Sequence, residues 1–140
     1  MVMNTRLFGE VTIDDSKMIH FPGGIVGFSD LQDFALIHDT EQGENGGIHW
    51  MQSVQEPNFA MPVIDPLRVK PDYNPEADDE LLSTIGEINP DELLVLVTIT
   101  VPSDFTKMTV NLKAPFVINV ATRKACQVIV EGYEIKFPIY

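Results

Sequence analysis

Residues 108–120 read Met-Thr-Val-Asn-Leu-Lys-Ala-Pro-Phe-Val-Ile-Asn-Val, and this stretch decides the fold class. Apolar Met108, Val110 and Leu112 alternate with polar neighbours, which is the period-two pattern of a half-buried β-strand. The alternation resumes at Phe116 after Pro115, whose missing backbone N–H interrupts a strand ladder. We therefore predict two strand segments with a bend or a sheet edge between them.

The strand pattern extends through most of the 140-residue chain, whereas helical signal is thin. Leu93–Val101 is apolar at nearly every position, as expected for a strand buried on both faces. Asp78–Gly86 predicts one short helix, and Asn89–Glu92 predicts a single further turn with proline at its first helical position. Further strands are predicted at Met3–Phe8, Val11–Ile13, Met18–Phe21, Phe34–His38, Ile48–Val54, Phe59–Ile64, Cys126–Val130 and Tyr133–Phe137.

Together these elements predict a mainly β fold, a small antiparallel, closed or nearly closed β-barrel with one or two short helices. A two-sheet sandwich is the competing architecture. The length fits one domain spanning residues 1–140. Ten prolines and nine glycines would supply the corners of such a fold.

The charge distribution is the first feature with functional content. Nine basic against 21 acidic residues give a formal net charge of −12. Residues 1–92 hold 18 acidic and 4 basic residues, a net −14, whereas residues 93–140 hold 3 acidic and 5 basic residues, a net +2. Because nucleic acids are bound mainly through Lys and Arg, this charge argues against direct nucleic-acid binding and favours basic protein partners. The alternative is that the charge merely keeps the protein soluble.

Cysteine content and hydropathy predict a cytoplasmic protein without membrane association. Cys126 is the only cysteine, so no internal disulfide can form, and a reducing compartment is the simplest setting. The longest strongly apolar run, Leu93–Val97, falls far short of the roughly 20 residues of a membrane span. The first ten residues contain no apolar block of the kind found in a secretory leader.

No residue pattern supports catalysis, and we predict a protein that is not an enzyme and uses no cofactor. Gly23–Gly27 is not followed by the Lys-Ser/Thr pair of a phosphate loop. Asp72–Asp78 imitates the first half of an EF-hand loop but lacks the glycine of its sharp turn. His20, His38 and His49 do not have the spacing of a metal site on one helix, and the sequence leaves their role open.

Four sequence blocks follow one another along the chain. They are HFPGGIVGF at 20–28, WMQSVQEP at 50–57, FAMPVIDP at 59–66 running to PDY at 71–73, and MTVNLKAPFVIN at 108–119 followed by QVI at 127–129. Together they resemble the flagellar assembly factor FliW family, and the likeness runs from about Gly9 to Ile129. Two departures are small: Val26 replaces a proline that is frequent in the family, and Ala125-Cys126 replaces a glycine-containing turn.

The resemblance implies a non-enzymatic, cytoplasmic protein with a small β-barrel-like fold. Members of the family bind free flagellin and also CsrA, an RNA-binding regulator that represses flagellin translation. Flagellin that accumulates occupies FliW and leaves CsrA free to repress, whereas export of flagellin allows FliW to antagonise CsrA again. The resemblance also implies that CsrA is inhibited allosterically, from a surface outside its RNA-contacting groove.

An acidic turn and helix form the candidate partner-binding site for CsrA. In this hypothesis carboxylates attract the basic regulator, and Tyr73 is the amphipathic anchor between them. The alternative is a solvated acidic helix with no partner. The candidate residues are Asp72, Tyr73, Glu76, Asp78, Asp79 and Glu80.

Three further points stay open at this level. Strand addition at an exposed sheet edge is one mode by which flagellin could bind, and Pro115 and the Pro22–Gly27 turn are features of the kind that mark sheet edges. The turn residues Phe21, Pro22, Ile25 and Phe28 are expected to build the core and a corner more than to contact a partner. The alternative function is a small-ligand or metal-binding β-barrel that uses its interior or its histidines.

Overall fold

A computed structural model describes residues 2–6, 9–13, 18–25, 27–28, 30–38, 48–74, 83–86 and 90–138. Strands dominate this part of the chain, and the helical elements within it are short 3₁₀ turns. The strands are β1 (Val2–Thr5), β2 (Gly9–Thr12), β3 (Ile19–His20), β4 (Asp33–His38), β5 (His49–Ser53), β6 (Ala60–Ile64), β7 (Leu93–Thr100), β8 (Thr109–Val110), β9 (Phe116–Asn119), β10 (Lys124–Gln127) and β11 (Phe137–Pro138).

Seven strands close into a barrel in the order β7-β6-β5-β4-β3-β10-β9, with β9 returning to β7. This confirms the predicted mainly β barrel over the two-sheet sandwich. Neighbouring strands are antiparallel except for β3 and β10, which run parallel where Lys124 lies opposite His20. That pairing joins strands far apart in sequence, so no hairpin turn dictates their direction.

Residues 108–120 contain two strands that pair with β7, namely β8 and β9, with an excursion at residues 112–115 between them. Before the excursion Val110 lies opposite Ile99, and after it Phe116 lies opposite Leu96. The Asn111 side-chain oxygen accepts from the backbone N–H groups of Lys113 and Ala114 and holds the excursion in place. The bend predicted at Pro115 is therefore confirmed. It separates β9, which closes the barrel with β10, from β8, which carries β11 on its outer edge.

Aromatic side chains fill the barrel interior. Phe21 contacts both Phe34 and Phe116 in edge-to-face geometry, with ring centroids 5.4 and 5.5 Å apart. These three rings are almost completely buried. Aliphatic residues complete the interior cluster, namely Ile19, Ile25, Met51, Val63, Leu96, Ile118 and Ala125.

A second apolar layer covers the outside of the barrel on two sides. The β1–β2 hairpin packs Met3 and Ile13 against Ala35 of β4. On the other side Val97, Ile99 and Val117 point outward from β7 and β9 and are covered by the connecting segments. Since Leu96 faces the interior, β7 is buried on both faces, as its apolar sequence predicts.

The predicted helical segments lie only partly within the described residues. A 3₁₀ turn at Pro90–Glu92 confirms the predicted single turn. The predicted helix at Asp78–Gly86 lies outside the described residues up to Leu82, and the described remainder is a 3₁₀ turn at Ser83–Ile85. Two further 3₁₀ turns, Pro66–Arg68 and Phe105–Lys107, were not predicted. Among the described residues no helix has the length and apolar character to cross a membrane.

Candidate partner-binding groove

A groove of about 390 Å³ lies on the outer wall of the barrel, above β7 and β9. Its lining is mainly apolar, and its polar contributions come from the segment that follows β6. The lining residues are Asp65, Pro66, Leu67, Tyr73, Asn74, Leu93, Leu94, Val95, Pro115, Val117 and Val128. We call this feature the outer groove.

The 3₁₀ turn at Pro66–Arg68 forms one wall of the outer groove. The Asp65 carboxylate caps the turn by accepting from the Leu67 backbone N–H at 2.9 Å. Pro66 is buried beneath the turn, whereas Leu67 is 51% exposed at the groove rim. The turn therefore presents an aliphatic side chain to solvent on a fixed backbone, which is an arrangement that suits protein contacts.

Tyr73 forms the end of the outer groove and belongs to the protein core. Its hydroxyl donates to the Leu112 carbonyl at 2.6 Å, and its ring packs edge-to-face on Tyr133 at 4.6 Å. The side chain is only 6% exposed. Burial, with a smaller contribution from Tyr133, raises the pKa of Tyr73 to about 12. The expected role as an exposed anchor is therefore corrected: the ring and the hydroxyl are both used inside the molecule.

Asp72, next to Tyr73, is the exposed carboxylate at this end of the groove. Lys70 Nζ lies 3.0 Å from its Oδ1, and the hydrogen bond from Lys70 is the main reason that the pKa of Asp72 is lowered. Lys70 also lies 5.7 Å from the centroid of the Phe137 ring. The other acidic candidates, Glu76, Asp78, Asp79 and Glu80, lie outside the described residues.

We call residues 72–80, which carry the acidic candidates, the acidic segment. The described residues that precede and follow its undescribed part, Asn74 and Ile85, are held by hydrogen bonds. On the N-terminal side the Asn74 backbone N–H donates to the Tyr133 hydroxyl at 3.1 Å. On the C-terminal side the Ile85 carbonyl accepts from Asn119 Nδ2 at 3.0 Å and from Thr122 Oγ1 at 2.7 Å. Asn119 thus satisfies backbone groups inside the protein.

Among the described side chains, neither His20 nor Cys126 belongs to a recognisable catalytic site. His20 Nδ1 lies 2.8 Å from Asp33 Oδ1 in a half-exposed pair. His49 lies opposite Val63 in the barrel wall. Cys126 is buried, and desolvation raises the pKa of its thiol, which makes it a poor nucleophile. Within the described ranges no three His, Cys, Asp or Glu side chains are grouped to hold a metal ion.

Sequence reasoning missed the outer groove because its lining comes from four separate segments. The buried strand pattern of Leu93–Val101 gives a partial signal, since a strand with two buried faces needs a cover on its outer side. For the wall formed by Pro66 and Leu67 the sequence gives a weaker signal: the pair Asp65-Pro66 is typical of the start of a turn.

Comparisons with known proteins agree on one family. The family model described as FliW protein matches residues 2–139. A flagellar assembly factor FliW from Lachnoclostridium phytofermentans is 44% identical, covering 100% of this chain and 91% of that protein. One from Lachnospira eligens is 41% identical, covering 100% and 95%. The crystal structure of a flagellar assembly factor FliW superposes with a TM-score of 0.91 at 29% identity, covering 100% of this chain and 97% of that one. On sequence and on fold alike, this chain belongs to the FliW family of flagellar assembly factors.

Proposed function

We propose that this protein binds free flagellin and antagonises the translational regulator CsrA by protein–protein contact. It would thereby couple the level of flagellin to the translation of flagellin. The observation that carries the proposal is membership of the FliW family over nearly the whole chain. The proposal includes a cytoplasmic location, where both partners are made, and a role as a chaperone-like binding protein without a catalytic step.

The surface chemistry supports a protein partner of positive charge. The formal net charge is −12, and most of the carboxylates precede Leu93. CsrA binds RNA and is therefore expected to be basic, and an acidic protein attracts a basic one even to a surface outside its RNA-contacting groove. Charge complementarity speeds the encounter, while a buried apolar contact supplies most of the affinity. The outer groove, with its exposed Leu67, offers such a contact.

The acidic segment that begins at Asp72 remains our candidate for the CsrA-facing surface. Tyr73 contributes to this surface indirectly. Its hydroxyl is bonded to Leu112, and the backbone of the next residue, Asn74, is bonded to Tyr133, so the start of the acidic segment is held in place. The exposed contacts would then come from Asp72 and from the acidic residues after it, Glu76, Asp78, Asp79 and Glu80.

Strand addition remains the proposed mode for flagellin, and barrel closure limits where it can occur. Every barrel strand has a neighbour on both sides, so the barrel offers no edge. In the part of the chain that the structure describes, the strands with a single neighbour are β1, β2 and β11. An extended flagellin segment would pair with the backbone of one of these.

The alternative, a small-ligand or metal-binding barrel, has less support. The interior is occupied by Phe21, Phe34 and Phe116 and by the aliphatic residues around them, so a ligand would have to displace the core. The described groove is on the outside of the barrel and is open to solvent.

Calorimetric titration with CsrA from the same organism tests the proposal, first with the free protein and then after saturation with flagellin. We expect tight binding of CsrA that flagellin abolishes. If the protein binds neither CsrA nor flagellin, the proposed function is wrong. Metal analysis of the purified protein and a dye-displacement screen would then test the alternative.

A further inference from the structure

Phe28 is a half-exposed aromatic side chain at the end of a continuous series of rings. Its ring lies 4.9 Å from that of Phe59, and Phe59 lies 6.4 Å from Phe34 in the barrel interior. Phe28 itself is 49% exposed. Of the residues expected to build the core and a corner, Phe21 and Ile25 are buried in the core, whereas Pro22 and Phe28 are exposed in the turn.

The backbone around Phe28 is fixed by hydrogen bonds. The Phe28 N–H donates to the Ile25 carbonyl at 2.9 Å, and the Phe28 carbonyl accepts from Leu31 at 3.0 Å. Gly27 adopts a φ of +86°, a left-handed conformation that glycine reaches without strain and that makes this tight turn possible. A rigid turn loses little conformational entropy when a partner binds.

The neighbouring β5–β6 turn is attached to the Phe28 turn. The Gln55 side-chain oxygen accepts from the backbone N–H groups of Gln32 and Asp33, and its amide nitrogen donates to the Asp30 carbonyl. Beneath it Gln52 Nε2 donates to the carbonyls of Ser53, Pro57 and Phe59. Through Gln55 the β5–β6 turn is therefore attached to residues 30–33, which follow Phe28 in the chain.

Exposed carboxylates belong to the two turns that carry this aromatic pair. Asp30 and Glu56 are exposed in the two turns, and Asp33 is half exposed beside His20. Residues 21–33 and 53–59 contain no lysine or arginine, and the cation that contacts them is Arg6, whose Nε donates to the Asn58 carbonyl at 3.2 Å. A single exposed apolar residue needs no explanation, but a half-exposed phenylalanine packed at a tilt on a second ring, in turns that carry exposed carboxylates, has the composition of a binding hot spot. We call Phe28, Phe59, Asp30 and Glu56 the Phe28 surface.

We propose that the Phe28 surface is a second docking site for CsrA, an inference that rests on the proposed function. Its chemistry fits a segment in which an apolar side chain contacts Phe28 while lysine or arginine pairs with the carboxylates and faces the ring. Phe59 precedes β6 and Asp65 follows it, so the Phe28 surface and the outer groove lie roughly 20 Å apart along that strand. A standard interface buries about 800 Å² on each partner, which is wide enough for one partner to reach both.

Calorimetric titration of CsrA into Phe28→Ser tests the inference. The matched control is Val101→Ser, because Val101 is a similarly exposed aliphatic residue outside both sites. We expect the affinity to fall at least about ten-fold for Phe28→Ser and to stay within about two-fold for Val101→Ser. The double variant Asp30→Asn, Glu56→Gln keeps the shape of the surface and removes its charge. This double variant should bind CsrA at least about three-fold more weakly than the wild type at low salt. At high salt the two affinities should be equal.

The outcomes separate the two proposals. If the wild-type protein binds CsrA and Phe28→Ser binds equally well, the Phe28 surface is not a CsrA site, whereas the proposed function stands. Loss of flagellin binding alone in Phe28→Ser also overturns the assignment to CsrA. If Phe28→Ser does not fold, the double variant decides, and an unchanged affinity and salt dependence would refute the inference. A wild-type protein that does not bind CsrA overturns both proposals.

Discussion

At the scale of single residues, the Tyr73 hydroxyl links the folding stability to alkaline pH. Its pKa is about 12 in the folded protein and about 10 in the unfolded chain. The folded state therefore holds the proton more tightly, and stability present below pH 10 is lost as the pH rises toward 12. We expect a loss of about 2 kcal/mol in unfolding free energy across that window, measured by denaturant titration.

The variant Tyr73→Phe checks this assignment. It leaves the Leu112 carbonyl without its donor and should destabilise the protein at neutral pH by about 1–2 kcal/mol. It should also lack the steep stability loss above pH 10 that the wild type shows, because no hydroxyl titrates at this position. Equal pH slopes in the two proteins would show that another group is responsible.

Gly86 provides a second prediction at this scale. Its φ is +92°, and a Cβ added there would lie 2.9 Å from Thr122 Cγ2. Gly86→Ala should therefore cost about 2–3 kcal/mol through backbone strain and the clash together. Gly132→Ala isolates the strain, since its φ is +83° with open space around it, and should cost about 1 kcal/mol. Gly23→Ala has neither feature and should be nearly neutral. Thermal unfolding of the three variants measures the order of their stability losses. Equal losses for Gly86→Ala and Gly132→Ala would contradict the clash with Thr122.

At the scale of secondary-structure elements, the excursion at residues 112–115 determines the connection of β8 and β9. Asn111→Ala removes the acceptor for Lys113 and Ala114 N–H and should destabilise the protein by about 1–2 kcal/mol. Hydrogen exchange should accelerate at these two amides and stay slow in the interior strand β5. Asn58→Ala, the same chemical change at an exposed turn residue, is the control. Unchanged exchange at Lys113 and Ala114 would show that the excursion does not depend on Asn111.

The same excursion shows what could be predicted from sequence. Period-two alternation in residues 108–120 predicts strands because side-chain direction follows from local backbone geometry. Pro115 predicts a break for the same local reason. The parallel contact of β3 with β10 and the assembly of the outer groove depend on which distant segments meet, and no local pattern encodes that. Tyr73 illustrates the limit: its acidic neighbours predict a surface residue, whereas its hydrogen bond to Leu112, 39 positions away, places it in the core.

At the scale of the whole molecule, the proposed function predicts that the net charge of −12 governs the rate of association with CsrA. Long-range attraction between an acidic protein and a basic one accelerates association and is screened by salt over about 10 Å at 0.1 M. We expect the association rate constant, measured by stopped-flow fluorescence, to fall steeply as ionic strength rises. The dissociation rate should change little, because short-range apolar contacts set it.

Charge reversal distinguishes a local acidic site from the overall charge. Asp78→Lys and Asp79→Lys change the net charge by the same amount as Glu10→Lys, which lies on the exposed strand β2. If the acidic segment faces CsrA, the first two variants should weaken affinity by about three- to ten-fold, and Glu10→Lys should lower only the association rate slightly. Three equal effects would mean that the charge acts as a diffuse field. Unchanged affinity in the first two would remove the acidic segment from the CsrA interface and leave the Phe28 surface as the candidate for contact with the regulator.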